Sequence, residues 1–172
     1  MAQEKEIRTV FWQDGAVVMI DQRALPVVER LVACRDYREV IAAIKDLTVR
    51  GAPAIGVAAA MGIALGGLAI SASTPAAFRD AFLEICGQFA TARPTARNLF
   101  WAIERMRRRF DAELGALAAT PAPAGADPFG PLRKGLVGEA IAIGAEDIAI
   151  NRRLGEHGAA LIEDGDTVIH HC

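Results

Sequence analysis

The chain begins with short apolar segments that alternate with polar turns. The β-forming segments I-R-T-V-F-W and A-V-V-M-I within residues 7–20 flank an Asp14-Gly15 pair, and Asp-Gly between β-formers is a strong hairpin signal. A polar turn over 21–26 follows, and V-V-E-R-L-V-A at 27–33 is interpreted as a third strand. The pattern therefore predicts a small antiparallel sheet at the N-terminus.

From Asp36 onward the apolar positions recur at helical spacing, and Asp36 can cap the first turn. An uncharged run follows at 51–73. The Thr-Pro pair at 74–75 and the Arg-Pro pair at 93–94 are each predicted to begin a further helix. The apolar stripes of these two helices are Phe78, Phe82, Ile85 and Phe89 in the first, and Leu99, Ile103, Met106 and Phe110 in the second.

The remaining pattern predicts the domain organisation. We expect a mainly helical α+β domain at 1–120, a Pro/Ala/Gly linker at 121–131, and long connecting helices at 132–164 that break near 155–158. At 165–172 a Gly-Asp turn precedes a β-type run, which is how many doubly wound α/β domains begin after a long helix. The sequence is therefore expected to stop at the first strand of a second, truncated domain.

The uncharged run at 51–73 has the roughly 20 residues of a membrane span. However, it consists mostly of alanine and glycine, and it has neither an aromatic belt nor positive charges clustered at one flank. We interpret it as a buried helix in which Gly62 and Gly66 allow close helix packing.

Composition narrows the class of protein. An apolar fraction of 52% and a mean hydropathy of +0.25 exclude disorder for most of the chain. The net charge of −2 does not indicate a nucleic-acid binder, and the basic cluster at 105–109 is interpreted as a solvated helix face. Cys34, Cys86 and Cys172 form no disulfide framework, and the first two are predicted to be core thiols. These three scattered thiols favour a reducing cytoplasm, and the N-terminus lacks the apolar segment of a signal peptide.

Two helix starts carry candidate chemistry. Pro53 suits the first helical position, and Gly51 allows a sharp turn and close approach of a ligand. The first backbone N–H groups of such a helix favour an anion, and Arg50 adds a donor suited to phosphate or carboxylate. Arg93 precedes the second proline, so both starts could converge on one anionic ligand. The alternative is an ordinary capped helix with a surface arginine.

The last three residues, His170-His171-Cys172, all have side chains that can ligate zinc. Adjacent strand residues point to opposite faces, so only His170 and Cys172 could share a side, and two ligands are too few for a site. Taken alone, a cysteine at a strand end is more often an inert buried thiol. Walker-type and G-x-G-x-x-G motifs are absent from the sequence, which disfavours nucleotide binding.

Four long segments cover most of the chain, namely F-W-Q-D-G-A-V-V-M-I-D-Q-R-A-L-P, V-R-G-A-P-A-I-G-V-A-A-A-M-G-I-A-L, A-R-P-T-A-R-N-L-F-W-A-I-E-R-M and E-D-I-A-I-N-R-R-L-G-E-H-G-A-A-L-I-E-D-G-D-T-V-I-H-H-C. Together they resemble the methylthioribose-1-phosphate isomerase family. The resemblance implies a helical N-terminal domain with a small sheet, followed by a Rossmann-like domain. It also implies a homodimeric enzyme of methionine salvage without metal or nucleotide cofactor, which isomerises 5-methylthioribose 1-phosphate to 5-methylthioribulose 1-phosphate.

The resemblance assigns roles residue by residue. Arg50, Gly51 and Ala52 match the family's substrate-contacting R-G-A triplet, Arg93 matches its second substrate-binding arginine, and Cys172 matches its active-site cysteine. The family's catalytic aspartate lies in the C-terminal domain and has no counterpart here, so the isolated segment is expected to be inactive. The expected partner is the C-terminal half of the same enzyme, either as a separate chain or lost by truncation. Two alternatives stay open, namely a ribose-1,5-bisphosphate isomerase and a non-catalytic regulatory subunit of the eIF2B type.

Overall fold

The structure is a computed structural model that describes residues 7–119 and 126–169. Within these two ranges, three strands are followed by five helices, which confirms the predicted mainly helical α+β fold with a small sheet. The strands are β1 (Val10–Gln13), β2 (Ala16–Ile20) and β3 (Leu31–Cys34), and the helices are α1 (Tyr37–Lys45), α2 (Ala52–Ala69), α3 (Pro75–Ala90), α4 (Arg97–Ala119) and α5 (Gly130–Ala159).

The sheet has the order β1-β2-β3 with both pairs antiparallel. Asp14 and Gly15 form the predicted hairpin turn, and both have positive φ (49° and 71°), as a two-residue type I′ loop requires. The third strand starts at Leu31, later than the predicted 27–33. The N–H of Val28 instead donates to the carbonyl of Ala24 (2.9 Å), which keeps this part of the chain in a turn.

Helix α2 lies at the centre of the molecule and contacts every other helix and the sheet. It is long and apolar enough to cross a membrane by length and composition alone, but 72% of it is buried within the protein. Gly62 and Gly66 allow the predicted close packing. A Cβ on Gly62 would lie 2.5 Å from Cζ of Phe89, and one on Gly66 would lie 2.9 Å from Cγ2 of Ile85.

Helices α1, α3 and α4 each pack against α2. Asp36 caps α1, because its side chain accepts from the N–H of Arg38, and Thr74 caps α3 by accepting from Ala77 (3.2 Å). The predicted apolar stripes of α3 and α4 are buried and meet in stacked rings, with the centroids of Phe82 and Phe110 4.2 Å apart.

Helix α5 departs from its prediction in two ways. It begins at Gly130, inside the predicted linker, because Phe129 is buried against Phe78 with centroids 4.8 Å apart. The predicted break at 155–158 is wrong, since the helix continues to Ala159. A glycine in a helix costs only about 1 kcal/mol, and nothing lies within 4 Å of the positions where a Cβ on either glycine there would sit.

The first half of α5 shares the core of the other helices, and its second half leaves that core. Leu136 and Ile143 are buried, whereas Ile150 and Leu154 are 54% and 68% exposed. Gly165 forms the predicted turn with φ of 91°, and no strand follows in the described residues 166–169. The predicted strand at 165–172 extends beyond the described residues, and it stays a prediction together with the domain boundaries.

Candidate anion-binding site

The start of α2 has unsatisfied backbone donors. Gly51 is the N-cap residue with φ of 91° and ψ of 131°, and the first hydrogen bond runs from the N–H of Ile55 to its carbonyl (2.9 Å). Pro53 occupies the second helical position rather than the predicted first. Within the described part of the chain, no acceptor faces the N–H groups of Gly51, Ala52 and Ala54. These groups lie at the positive end of the helix dipole, which favours an anion.

Glycine is required at position 51 by its backbone conformation and not by crowding. A Cβ there would meet nothing within 4 Å, but φ of 91° is a region that L-residues rarely adopt. The open space in front of this residue leaves room for a ligand to approach the backbone.

The side chains of Arg50 and Arg93 have no ion-pair or hydrogen-bond partner among residues 7–119 and 126–169. Arg50 is exposed and Arg93 is half-buried. Both are therefore positive charges that no described side chain pairs with, as a site for an anion requires.

The start of α4 differs from its prediction. The Arg93-Pro94 pair does not begin the helix, because the N–H of Ala96 donates to the carbonyl of Arg93 (3.0 Å) and closes a separate turn. Helix α4 begins at Arg97, and the N–H of Leu99 donates to Ala96 (3.0 Å). Arg93 therefore lies in a separate turn before α4. It is not the residue that directly precedes the helix.

A cavity of about 830 Å³ lies where the start of α2, the turn before α4, the first half of α4 and the middle of α5 meet. Helices α2 and α4 touch there, since a Cβ on Gly56 in α2 would lie 3.0 Å from the carbonyl oxygen of Asn98 in α4. This volume suits a small ligand, and the wall combines apolar and charged side chains. The apolar ones are Pro53, Val57, Pro94, Phe100, Trp101, Ile143 and Ile150, and the charged ones are Arg97, Glu104, Glu146 and Asp147.

The structure brings both predicted helix starts to the edge of this one cavity. Arg50, Gly51 and Ala52 directly precede the lining residue Pro53, and Arg93 directly precedes the lining residue Pro94. None of these four predicted residues belongs to the wall itself, and their roles stay predictions. Sequence reasoning did not identify the contributions of α5 to the wall, because they depend on how α5 crosses α4.

An ion-pair network fixes α4 against α5 beside the cavity. Arg105 donates from Nε to Glu139 (2.6 Å) and from Nη2 to Glu146 (2.7 Å), and its guanidinium lies 5.5 Å from the ring centroid of Trp101. The hydrogen bond from Arg105 holds the pKa of Glu146 below its ordinary value. Because Arg105 is only 19% exposed, it belongs to the packing between the two helices.

The rest of the basic cluster is consistent with the predicted solvated face. Arg107, Arg108 and Arg109 are exposed on α4. Arg108 pairs with Glu104 (3.1 Å), and Arg109 pairs with Glu113 (2.6 Å), each at the i,i+4 spacing of a helix. The glutamates reduce the positive field that nucleic-acid binding would need. This pairing was detectable in the sequence from the i,i+4 spacing.

Cys34 and Cys86 are core thiols, as predicted. Both are buried, and burial raises the pKa of Cys34 to about 11 and that of Cys86 to about 12, so both stay protonated at neutral pH. Cys172, the predicted active-site residue, lies outside the described residues together with His170 and His171. In the part of the chain that is described, no three His, Cys, Asp or Glu side chains are grouped to hold a metal ion.

The fold and the site define a mainly helical α+β domain in which the starts of two helices border one cavity. The chain belongs to the Initiation factor 2 subunit family, whose family model matches residues 48–172. The methylthioribose-1-phosphate isomerase of Syntrophus aciditrophicus is 50% identical over 170 residues, and that of Trichlorobacter lovleyi is 47% identical over 165 residues. The alignments cover 95% and 96% of this chain, but only 46% and 44% of the two relatives.

Two solved structures are similar to this fold. The 5-methylthioribose 1-phosphate isomerase of Pyrococcus horikoshii has a TM-score of 0.80 and 37% identity, over 92% of this chain and 41% of its own. The delta subunit of translation initiation factor eIF-2B from A. fulgidus has a TM-score of 0.74 and 36% identity, over 93% and 43%. The family resemblance seen in the sequence is thus confirmed, and the chain spans less than half the length of these relatives.

Proposed function

We propose that this chain is the N-terminal portion of an aldose–ketose isomerase that converts 5-methylthioribose 1-phosphate to 5-methylthioribulose 1-phosphate in methionine salvage. The observation that carries the proposal is the 50% identity to a methylthioribose-1-phosphate isomerase over 95% of the chain. The start of α2 supports it, because unpaired backbone donors and Arg50 together offer a site for a sugar phosphate.

In this reaction the phosphate on the anomeric oxygen prevents the sugar ring from opening freely. The enzyme must therefore assist ring opening before hydrogen moves from C2 to C1, either through an enediol-like species or as a direct hydride shift. The N–H groups of Gly51 and Ala52, with Arg50 and Arg93, would hold the phosphate and stabilise the developing negative charge. Cys172 would line the pocket, and the acid or base would be an aspartate from the C-terminal half.

The complete enzyme is proposed to be a cytoplasmic homodimer in which a Rossmann-like domain follows this segment. The exposed second half of α5 and the residues after it support the presence of further chain, which would cover Ile150 and Leu154 in the helix and Leu161 beyond its end. The reaction moves hydrogen within one molecule, so the proposal includes no cofactor. It follows that the 172-residue chain alone should be inactive, and measurable turnover by the purified chain would contradict this.

The experiment that tests the function is an isomerase assay on a protein of the relatives' length that contains this sequence. Arg50→Ala should lower kcat/KM for methylthioribose 1-phosphate by about 10- to 150-fold, the range for a lost hydrogen bond to a charged group. Arg79→Ala is the matched control, because Arg79 pairs with Asp111 on the outer side of α3 and α4. Unchanged kinetics in Arg50→Ala would make Arg50 an ordinary surface arginine.

A second candidate, a non-catalytic regulatory subunit, is favoured by the TM-score of 0.74 to the delta subunit of eIF-2B. The same assay separates the candidates when it is run with methylthioribose 1-phosphate and with ribose 1,5-bisphosphate in parallel. Turnover of the first supports the main proposal, turnover of the second alone supports a ribose-1,5-bisphosphate isomerase, and turnover of neither supports a regulatory role.

A further inference from the structure

The peptide between Arg50 and Gly51 is held by a residue that is distant in the sequence. The side-chain amide of Gln22 donates from Nε2 to the carbonyl oxygen of Arg50 (3.1 Å). Gln22 lies in the loop after β2, 28 residues earlier in the chain. This contact holds the carbonyl of the same peptide whose N–H is one of the unpaired donors at the start of α2.

The geometry of a peptide unit links the two ends of this bond. The Arg50–Gly51 peptide is trans, so its C=O and N–H point in opposite directions within one plane. Because the Arg50 carbonyl points toward Gln22, the N–H of Gly51 points away from Gln22. A reversal of this peptide would change φ of Gly51 from 91° to about −90°, in the way that type II and type I turns differ.

Gln22 is itself fixed in place. The backbone N–H of Gln22 donates to the carbonyl of Thr48 (2.9 Å). This bond joins the loop after β2 to the loop before α2 without involving the side chain of Gln22. Asp21, the neighbouring residue, is fully buried, and its carboxylate accepts from Nε of Arg23 (3.0 Å) and from Arg30. The loop before α2 is thereby attached to a rigid part of the sheet.

The loop before α2 is held from its other end as well. Arg23 donates from Nη1 to Asp46 (2.7 Å), and the other oxygen of Asp46 accepts from the N–H (2.9 Å) and Oγ1 (2.7 Å) of Thr48. Thr48 and Val49 are buried, so little of this loop is free to move. Among the described residues, the hydrogen bond from Gln22 is the contact made by the Arg50 carbonyl.

We propose that Gln22 is a positioning residue of the sugar-phosphate site, which directs the N–H of Gly51 toward the phosphate by holding the Arg50 carbonyl. The inference rests on the proposed function, because it assigns Gln22 to the same site. Gln22 does not touch the ligand in this scheme. Its effect passes through one peptide plane.

The first measurement concerns the peptide without a ligand. In the NMR spectrum of the chain, the NOE between Hα of Arg50 and the N–H of Gly51 reports which way the peptide faces, because a reversal changes their separation. Gln22→Met should change this NOE while the melting temperature stays close to that of the wild type, since the backbone bond to Thr48 remains. Gln88→Met is the control, because the side chain of the half-buried Gln88 donates to Glu84 within the same helix, α3.

Gln22→Glu provides a second variant of nearly the same shape. Its carboxylate repels the Arg50 carbonyl instead of donating to it, so the change in the NOE should be larger than in Gln22→Met. An NOE that is identical in the wild type, Gln22→Met and Gln22→Glu would overturn the positioning role.

The second measurement is a titration with inorganic phosphate, followed at the Gly51 amide resonance. Gln22→Met should raise the dissociation constant about 2- to 13-fold, which corresponds to one ordinary hydrogen bond. No shift at Gly51 in the wild type would contradict the proposed anion site, and the NOE would still decide the role of Gln22. Equal affinity in the wild type and Gln22→Met would contradict the positioning role alone.

Discussion

At the scale of single residues, Gly51 combines a rare backbone conformation with an open approach. Gly51→Ala should lower the free energy of unfolding by about 1–3 kcal/mol, because alanine is strained at φ of 91°. Denaturation with urea measures this. Gly138→Ala is the control, since Gly138 lies within α5 with nothing within 4 Å of its Cβ position, and alanine there should be neutral or stabilising. An equal effect of both substitutions would contradict the conformational argument.

How far this site could be predicted from the sequence depends on the residue type. Gly51 and Pro53 were recognisable because glycine and proline act on their own backbone. Gln22 was not, because its contact with Arg50 spans 28 residues and depends on how two loops meet. Arg93 lies between these cases. Its neighbour Pro94 indicated a helix start, but the closed turn before Arg97 comes from hydrogen bonds that the pattern does not specify.

At the scale of secondary-structure elements, Arg105 connects α4 to α5. Arg105→Met should lower the free energy of unfolding by on the order of 1–3 kcal/mol, because two glutamates on α5 lose a charged hydrogen-bond donor. Arg108→Met should change it by less than about 1 kcal/mol, since Arg108 and its partner Glu104 are both exposed. Urea denaturation compares the two, and equal losses would show that Arg105 acts only as another surface charge.

The elements themselves were predictable where their pattern was strong. Apolar stripes at helical spacing gave α3 and α4 their buried faces, and the Asp36 cap marked the start of α1. The end of α5 was not predictable in this way. In the sequence, the glycines at 155 and 158 indicate a break in the helix. However, the free-energy cost of each glycine is small against the hydrogen bonds of a 30-residue helix. The late start of β3 likewise follows from the turn bond between Val28 and Ala24.

At the scale of the whole molecule, one core joins the sheet to all five helices, with α2 in its centre. The uncharged composition of α2 follows from this position, since a helix that is covered on every side has no face for charged residues. The sequence indicated a buried helix from its small residues. It did not indicate that the first half of α5 would join the same core, because α5 reads as a connecting helix until its contacts with α2 and α4 are known.

The acid stability of this whole molecule should depend on Asp21. Hydrogen bonds from Arg23 and then Arg30 hold the pKa of its carboxyl well below the ordinary value, so the folded state favours the ionised form. The stabilising effect is complete above the unfolded pKa of about 3.9 and is lost as the pH falls toward the folded pKa. Asp21→Asn should therefore be less stable than the wild type at pH 7, and the difference should shrink below about pH 4.

The measurement is the free energy of unfolding by urea at a series of pH values from neutral to acid. Asp14→Asn is the matched control, because Asp14 lies in the exposed hairpin turn, where asparagine also accepts a positive φ. This control shows how much the replacement of an exposed carboxylate by an amide changes the stability in itself. A difference between Asp21→Asn and the wild type that stays constant across this range would show that the Asp21 carboxylate is not the group whose protonation weakens the fold in acid.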